Sequence, residues 1–121
     1  MSGNPGPGYV KKPDHKVTLE REARRVQVRR GGTLLVDSDA ALVMQETGHN
    51  PTYYLPRRHA RMEKFQRTGH STYCPFKGKA SYFSLEGAEN AVWSYETPYD
   101  EMMGIKEYLA FYPDKVEITL L

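Results

Sequence analysis

From Val17 onward the apolar residues of this chain fall in short runs of period two, the signature of half-buried β-strands. Arg24-Arg25-Val26-Gln27-Val28-Arg29 alternates Val26 and Val28 with polar neighbours. Gly31-Gly32 supplies the positive backbone angles of a tight hairpin turn, and Thr33-Leu34-Leu35-Val36 returns as the partner strand. Asp37-Ser38-Asp39 makes a second turn before a strand over Ala41–Glu46, and Tyr53-Tyr54-Leu55 is a short strand stopped by Pro56. Further strands are predicted at 72–74, 80–83, 91–95, 108–112 and 116–120, with a turn or short helix near 100–104. Many short strands separated by turns predict a mainly β domain of antiparallel strands closed into a small roll or sandwich.

Arg58–Arg67 is the one short helix predicted, because Met62 and Phe65 lie three apart among helix-favouring polar residues. Residues 1–16, with Asn4-Pro5-Gly6-Pro7-Gly8, hold too few apolar groups to offset their ordering and read as a flexible leader. Residues 17–121 then form a single domain, with no internal repeat. The chain of 121 residues is long enough to bury roughly two-thirds of its unfolded surface around one core. No apolar run approaches the ~20 residues of a membrane-crossing helix. One cysteine and no signal-peptide pattern point to a reducing cytoplasm.

Net charge is +2, and its distribution says more than its size. Residues 1–60 hold 10 Lys/Arg against 6 Asp/Glu, and residues 61–121 hold 7 against 9. The excess gathers at Arg21, Arg24, Arg25, Arg29 and Arg30. Such a strip can attract phosphates, but Arg alternating along a strand is ordinarily a solvated face.

Three segments interrupt strands with Pro or Gly beside functional side chains. In Tyr73-Cys74-Pro75-Phe76-Lys77-Gly78 the proline presets a turn and Gly78 permits close backbone approach. Cys74 and Lys77 can face one cavity, where an ammonium beside a thiol favours the reactive thiolate. The alternative is a buried, inert cysteine beside an exposed lysine. Around Tyr53-Tyr54-Leu55-Pro56-Arg57, alternation sends the two tyrosines to opposite faces, so one can be core and the other line a cleft with Glu46. Arg57 can bind a carboxylate or phosphate, or be a surface residue. In Trp93-Ser94-Tyr95, the two rings share a strand face and suit either a stacking platform or the core.

Other chemistries find less support. His70 and Cys74 would lie about 13 Å apart on a strand, so any histidine partner for Cys74, His49 or His59 included, must come from the fold. The four histidines lack ligand-like spacing, and neither a metal nor a cofactor is expected. Lys77-Gly78 does not make a phosphate-binding loop.

The run Ala41–Glu46, Tyr53-Tyr54-Leu55-Pro56, Cys74-Pro75-Phe76-Lys77-Gly78, Trp93-Ser94-Tyr95-x-x-Pro98 and Ala110-Phe111-Tyr112-Pro113 resembles the family catalogued as domain of unknown function 427. The resemblance covers residues 17–121 and implies a tent-like, mostly β fold of a bacterial and fungal type. The matching positions are Glu46, Tyr54, Pro56, Cys74, Lys77, Gly78, Trp93, Tyr95 and Pro98. Where relatives tend to carry an acidic residue after the Tyr-Tyr-x-Pro strand, this chain has Arg58-His59. The family is sometimes labelled nucleotidyltransferase-like, but Asp37-Ser38-Asp39 follows Gly31-Gly32 too closely to hold the intervening helix, and a hairpin turn explains it.

Three functions compete. The first is a pocket for a small anionic or nucleotide-like ligand, lined by Glu46, Tyr54, Arg57, Cys74, Lys77, Gly78, Trp93 and Tyr95, with Cys74, Lys77 and Glu46 as candidates for catalysis. Lys77 and the Trp93–Tyr95 pair are then expected to converge, and Lys77→Ala to cost little stability. The second is a non-enzymatic module whose basic strand at 24–30 docks RNA or a protein, nucleic acid being the less favoured partner at this net charge. The third is a purely structural domain. Oligomeric state is not legible.

Overall fold

The computed structural model describes residues 3–121. Among these residues, ten strands form three small antiparallel sheets. The first holds β1 (Val17–Arg21), β4 (Leu42–Glu46) and β5 (Thr52–Tyr54), in the order β1-β4-β5. The second holds β2 (Val26–Arg30), β3 (Thr33–Ser38) and β10 (Glu117–Leu120), in the order β10-β2-β3. The third runs β6 (Gln66–Cys74), β7 (Gly78–Leu85), β8 (Ala88–Ser94), β9 (Ala110–Phe111). A single bridge between Leu55 and Leu109 links the segments that follow β5 and precede β9, and another between Val36 and Ala60 ties β3 to the segment before β6.

The four-stranded sheet divides the interior. Register pairs Tyr82 with Trp93 and Trp93 with Ala110, while Phe83 pairs with Val92 and Val92 with Phe111. Period-two alternation therefore sends Phe83, Val92 and Phe111 to one face and Tyr82, Trp93 and Ala110 to the other. The first face packs with Val26, Val28, Leu35, Val36, Leu55 and Leu109 in an aliphatic core. The second packs with Met44, Tyr54, Tyr95, Met102 and Ile105, and is rich in phenol rings. This second, aromatic side carries the site.

The hairpin at Gly31-Gly32 forms as its sequence predicts, with φ of 55° and 82°. The helix predicted over 58–67 does not form. In its place are two single 3-10 turns, Arg57–His59 and Met62–Lys64, separated by Ala60 in an extended conformation. Ala60 is spent on the bridge to Val36, and the Arg61 amide donates to the Leu35 carbonyl at 2.9 Å. Met62 and Phe65 still pack inward, since three-residue spacing is also the period of a 3-10 turn. The short helix of the fold is α1 (Gly8–Lys11) instead.

Composition makes 1–16 a loose leader, whereas the described part of it, residues 3–16, lies against the domain. The Gly8 amide donates to the Pro75 carbonyl at 3.0 Å, and the Tyr9 hydroxyl to the Phe76 carbonyl at 3.1 Å. The Gly6 amide donates to Glu101 Oε1 at 2.9 Å. Gly8 is buried beneath the Phe76 ring, where an added Cβ would come within 2.8 Å of ring carbon. Among the described residues, no helix is long and apolar enough to cross a membrane.

Candidate functional site

Glu46 is the last residue of β4, where the Thr47–Gly48 turn ends the strand and leaves its side chain at the sheet's rim. Lys77 belongs to the turn joining β6 to β7, closed by its own amide donating to the Cys74 carbonyl at 3.3 Å. The Lys77 carbonyl in turn accepts from the Tyr99 amide at 3.1 Å. Gly78 follows at φ 109°, a backbone region that L side chains rarely adopt, with Thr97, Pro98 and Tyr99 backbone within 3.6 Å of where its Cβ would be. Gly78 thus shapes the turn that presents Lys77.

The two charged ends meet. Lys77 Nζ donates to Glu46 Oε1 at 2.6 Å, and the side chains are only 11% and 10% exposed. The other carboxylate oxygen, Oε2, lies 2.8 Å from His15 Nε2 and 3.9 Å from His49 Nε2. Burial alone would raise the Glu46 pKa, but hydrogen bonds from Lys77 and His15, with the charges of Lys77 and His49, outweigh it and hold the group below its ordinary value. Glu46 is therefore a fixed anion.

Beside this pair is a cavity of about 260 Å³. Its wall comes from Tyr54 on β5, Tyr82 on β7, Trp93 on β8 and Tyr95 just after it, with Glu46, Lys77, Met44 and Thr52. Exposed His49 and Tyr112 stand at the rim. The Trp93 indole N–H donates to the Tyr54 hydroxyl at 3.4 Å, and its ring lies 4.7 Å from that of Tyr112. Tyr82 and Tyr112 hydroxyls are 3.4 Å apart. Burial pushes the phenols of Tyr54 and Tyr95 well above their ordinary pKa, and the Tyr82 contact followed by burial takes Tyr112 up to about 12. These groups stay neutral at physiological pH, so they can donate as well as accept hydrogen bonds.

Of the residues expected from sequence, Glu46, Tyr54, Lys77, Trp93 and Tyr95 line this cavity. Arg57 does not. Its guanidinium is held by Glu96 Oε2 at 2.8 Å, Ser94 Oγ at 2.9 Å and the Glu107 carbonyl at 2.7 Å. The carboxylate it binds is internal. Arg67 grips the same Glu96 through both carboxylate oxygens, at 2.8 and 2.7 Å, and both arginines lie over the Phe83 ring. Cys74 packs half-buried against the aromatic core and is not among the lining residues. The four histidines have other neighbours: His59 Nδ1 is 2.7 Å from Ser38 Oγ, His70 meets the Tyr82 ring edge-on, and His15 and His49 turn to Glu46. Among the described residues, no three of His, Cys, Asp and Glu converge as a metal would require.

Sequence reasoning passed over His15, Tyr82 and Tyr112 as site residues and weighed His49 only as a partner for Cys74. Tyr82 carries a usable signal, since strand alternation places it with Ala80 on one face, but His15 carries none before the fold is known. Two larger hollows, about 450 and 560 Å³, flank the Gly31 hairpin and the Lys64–Gln66 segment. They lack a converging set of buried polar groups; Arg30 at the first is bound to the carbonyls of Glu86, Gly87 and Lys115. Elsewhere in the basic strip, Arg24 pairs with Glu22 and Arg25 with Asp37.

A family described as Domain of unknown function (DUF427) matches residues 18–121. No curated protein matches the chain.

Proposed function

The chain belongs to the family of domain of unknown function 427, and we propose that it is a small-molecule-binding domain whose ligand occupies the cavity beside Lys77 and Glu46. One observation carries this reading: a nearly buried ammonium–carboxylate pair opens onto a space walled by Tyr54, Tyr82, Trp93 and Tyr95. A buried ion pair is a poor source of stability compared with apolar packing of the same volume, so its presence at a cavity favours a role in recognition. Neutral phenols and an indole offer flat faces for a ring and hydroxyls for its polar edge.

The volume narrows the ligand. At about 260 Å³ the cavity is below the roughly 300–1,000 Å³ of sites for drug-sized molecules. One ring fits, such as the base or sugar portion of a nucleotide-like compound, bearing carbonyl, hydroxyl or acidic groups. Lys77 has donors beyond the one given to Glu46 and would meet the acidic or carbonyl edge. If the bound ligand reacts, Glu46 and Lys77 would transfer the proton; Cys74 is not among the lining residues. The solitary thiol fits a reducing cytoplasm.

Trp93 is the sole tryptophan, so its emission reports directly on the cavity. A panel of free bases, nucleosides, monosaccharides and aromatic carboxylates is titrated while emission and thermal unfolding are followed. At least one class should quench Trp93 saturably and raise the melting temperature, and Lys77→Met should abolish both effects. Responses that survive Lys77→Met unchanged, or a panel that moves neither signal, would overturn the reading.

A further inference from the structure

His15 comes from the N-terminal arm, before the stretch that matches the family, yet it touches the centre of the site. Its Nε2 is 2.8 Å from Glu46 Oε2 while Lys77 holds Oε1, so the carboxylate is fixed at both oxygens. The imidazole is pinned from behind by the Phe76 ring, 4.3 Å away and tilted 30°. Phe76 is itself clamped by the same arm: Tyr9 meets it edge-on at 5.0 Å, and Gly8 lies against its ring. Phe76 immediately precedes Lys77. The arm therefore grips both halves of the Lys77–Glu46 pair, the carboxylate through His15 and the lysine turn through Gly8, Tyr9 and Phe76.

We propose that His15 is a positioning residue of this site, holding the Glu46 carboxylate so that its other oxygen receives Lys77, and that docking of the N-terminal arm completes the site. With only the Lys77 contact, a carboxylate is free to rotate about its terminal torsion, which is broad and two-fold. A second bond from the opposite side removes that freedom.

The inference builds on reading the cavity as a ligand site, but its test needs no ligand. Reductive methylation with formaldehyde is followed at Lys77 by peptide mass spectrometry at one fixed pH and normalised to exposed Lys79 and Lys115. Circular dichroism confirms that each variant is folded. Lys77 should be protected in the unaltered protein. His15→Ala should raise its relative rate on the order of tenfold, as loss of one charge-assisted hydrogen bond allows. His15→Gln, whose amide can donate to Glu46, should restore protection. Protection in His15→Ala equal to the unaltered protein would overturn the proposal, as would failure of folded His15→Gln to restore it. A silent ligand panel with this pattern intact would remove the ligand reading alone.

Discussion

Lys77 Nζ and Glu46 Oε1 are 2.6 Å apart at a place where neither side chain is more than about one-tenth exposed. The pair joins the β6–β7 turn to the end of β4, so it spans two sheets. Treating Lys77 as purely functional leads to the expectation that its removal costs little stability, and the pairing changes that. Lys77→Met leaves the Glu46 carboxylate with His15 as its near partner, which should cost about 1–3 kcal/mol, below the full loss for an isolated buried charge. The double variant Glu46→Gln with Lys77→Met should recover part of it. Urea unfolding of the four proteins in the cycle measures the coupling; additive losses would show that the pair contributes nothing to stability.

Glu96 makes the acid limb of the stability curve. Contact with Arg67 is the largest influence, burial opposes it, and Arg57 adds to the lowering, so the pKa falls from 4.5 to about 2. A carboxylate with a depressed folded pKa contributes stability that is present above the unfolded value and lost as pH falls through the folded one. The window is therefore pH 4.5 down to about 2. The side chain is 28% exposed, so solvent screening reduces the contribution to about 1–2 kcal/mol. Glu96→Gln should be less stable at pH 7 and should lose less between pH 5 and pH 2. Parallel curves for the two proteins would refute this.

The N-terminal arm should stabilise the domain although its composition suggests otherwise. Its contacts are a buried glycine, a tyrosine edge and backbone bonds to Pro75 and Phe76. Deleting residues 1–14 should destabilise by about 1–2 kcal/mol, or roughly 3–6 °C per kcal/mol in melting temperature for a chain of this size. Gly8→Ala should reproduce part of the loss, because the methyl meets the Phe76 ring. An unchanged melting temperature for the deletion would show that the arm is loosely held.

The strands with one buried face were legible because burial writes itself into period two: Val26 and Val28 on β2, Tyr82 and Phe83 to opposite faces of β7. Strand β6 was legible only at its end. Its burial pattern is exposed along nearly its whole length, so no alternation selects for apolar residues. The segment before it misled through a true observation, since Met62 and Phe65 do share a face, but in a 3-10 turn. At the site, Lys77, Trp93 and Tyr95 stood out by local chemistry. Arg57 stood out too and was claimed by Glu96, a contact 39 residues away that no local pattern encodes. His15 was hidden for the complementary reason, an arm with little apolar content that is held by backbone bonds and one ring.

The turn that presents Lys77 depends on Gly78, and two glycines of the same hairpin allow a controlled test. Gly78 has φ 109°, outside what an L side chain readily adopts, and its surroundings are the backbone of Thr97–Tyr99. Alanine there has to strain or drag the turn, and with it the Lys77 carbonyl that accepts from the Tyr99 amide. Gly69, on the exposed part of β6, has no positive φ and nothing within 4 Å of an added Cβ. Gly78→Ala should therefore lose about 1–3 kcal/mol and lower the reactivity difference between Lys77 and surface lysines. Gly69→Ala should be neutral or gain up to about 1 kcal/mol by restricting the unfolded chain. Urea midpoints at constant slope decide it. Equal shifts for the two variants would mean that the backbone at Gly78 is not what holds Lys77 in place.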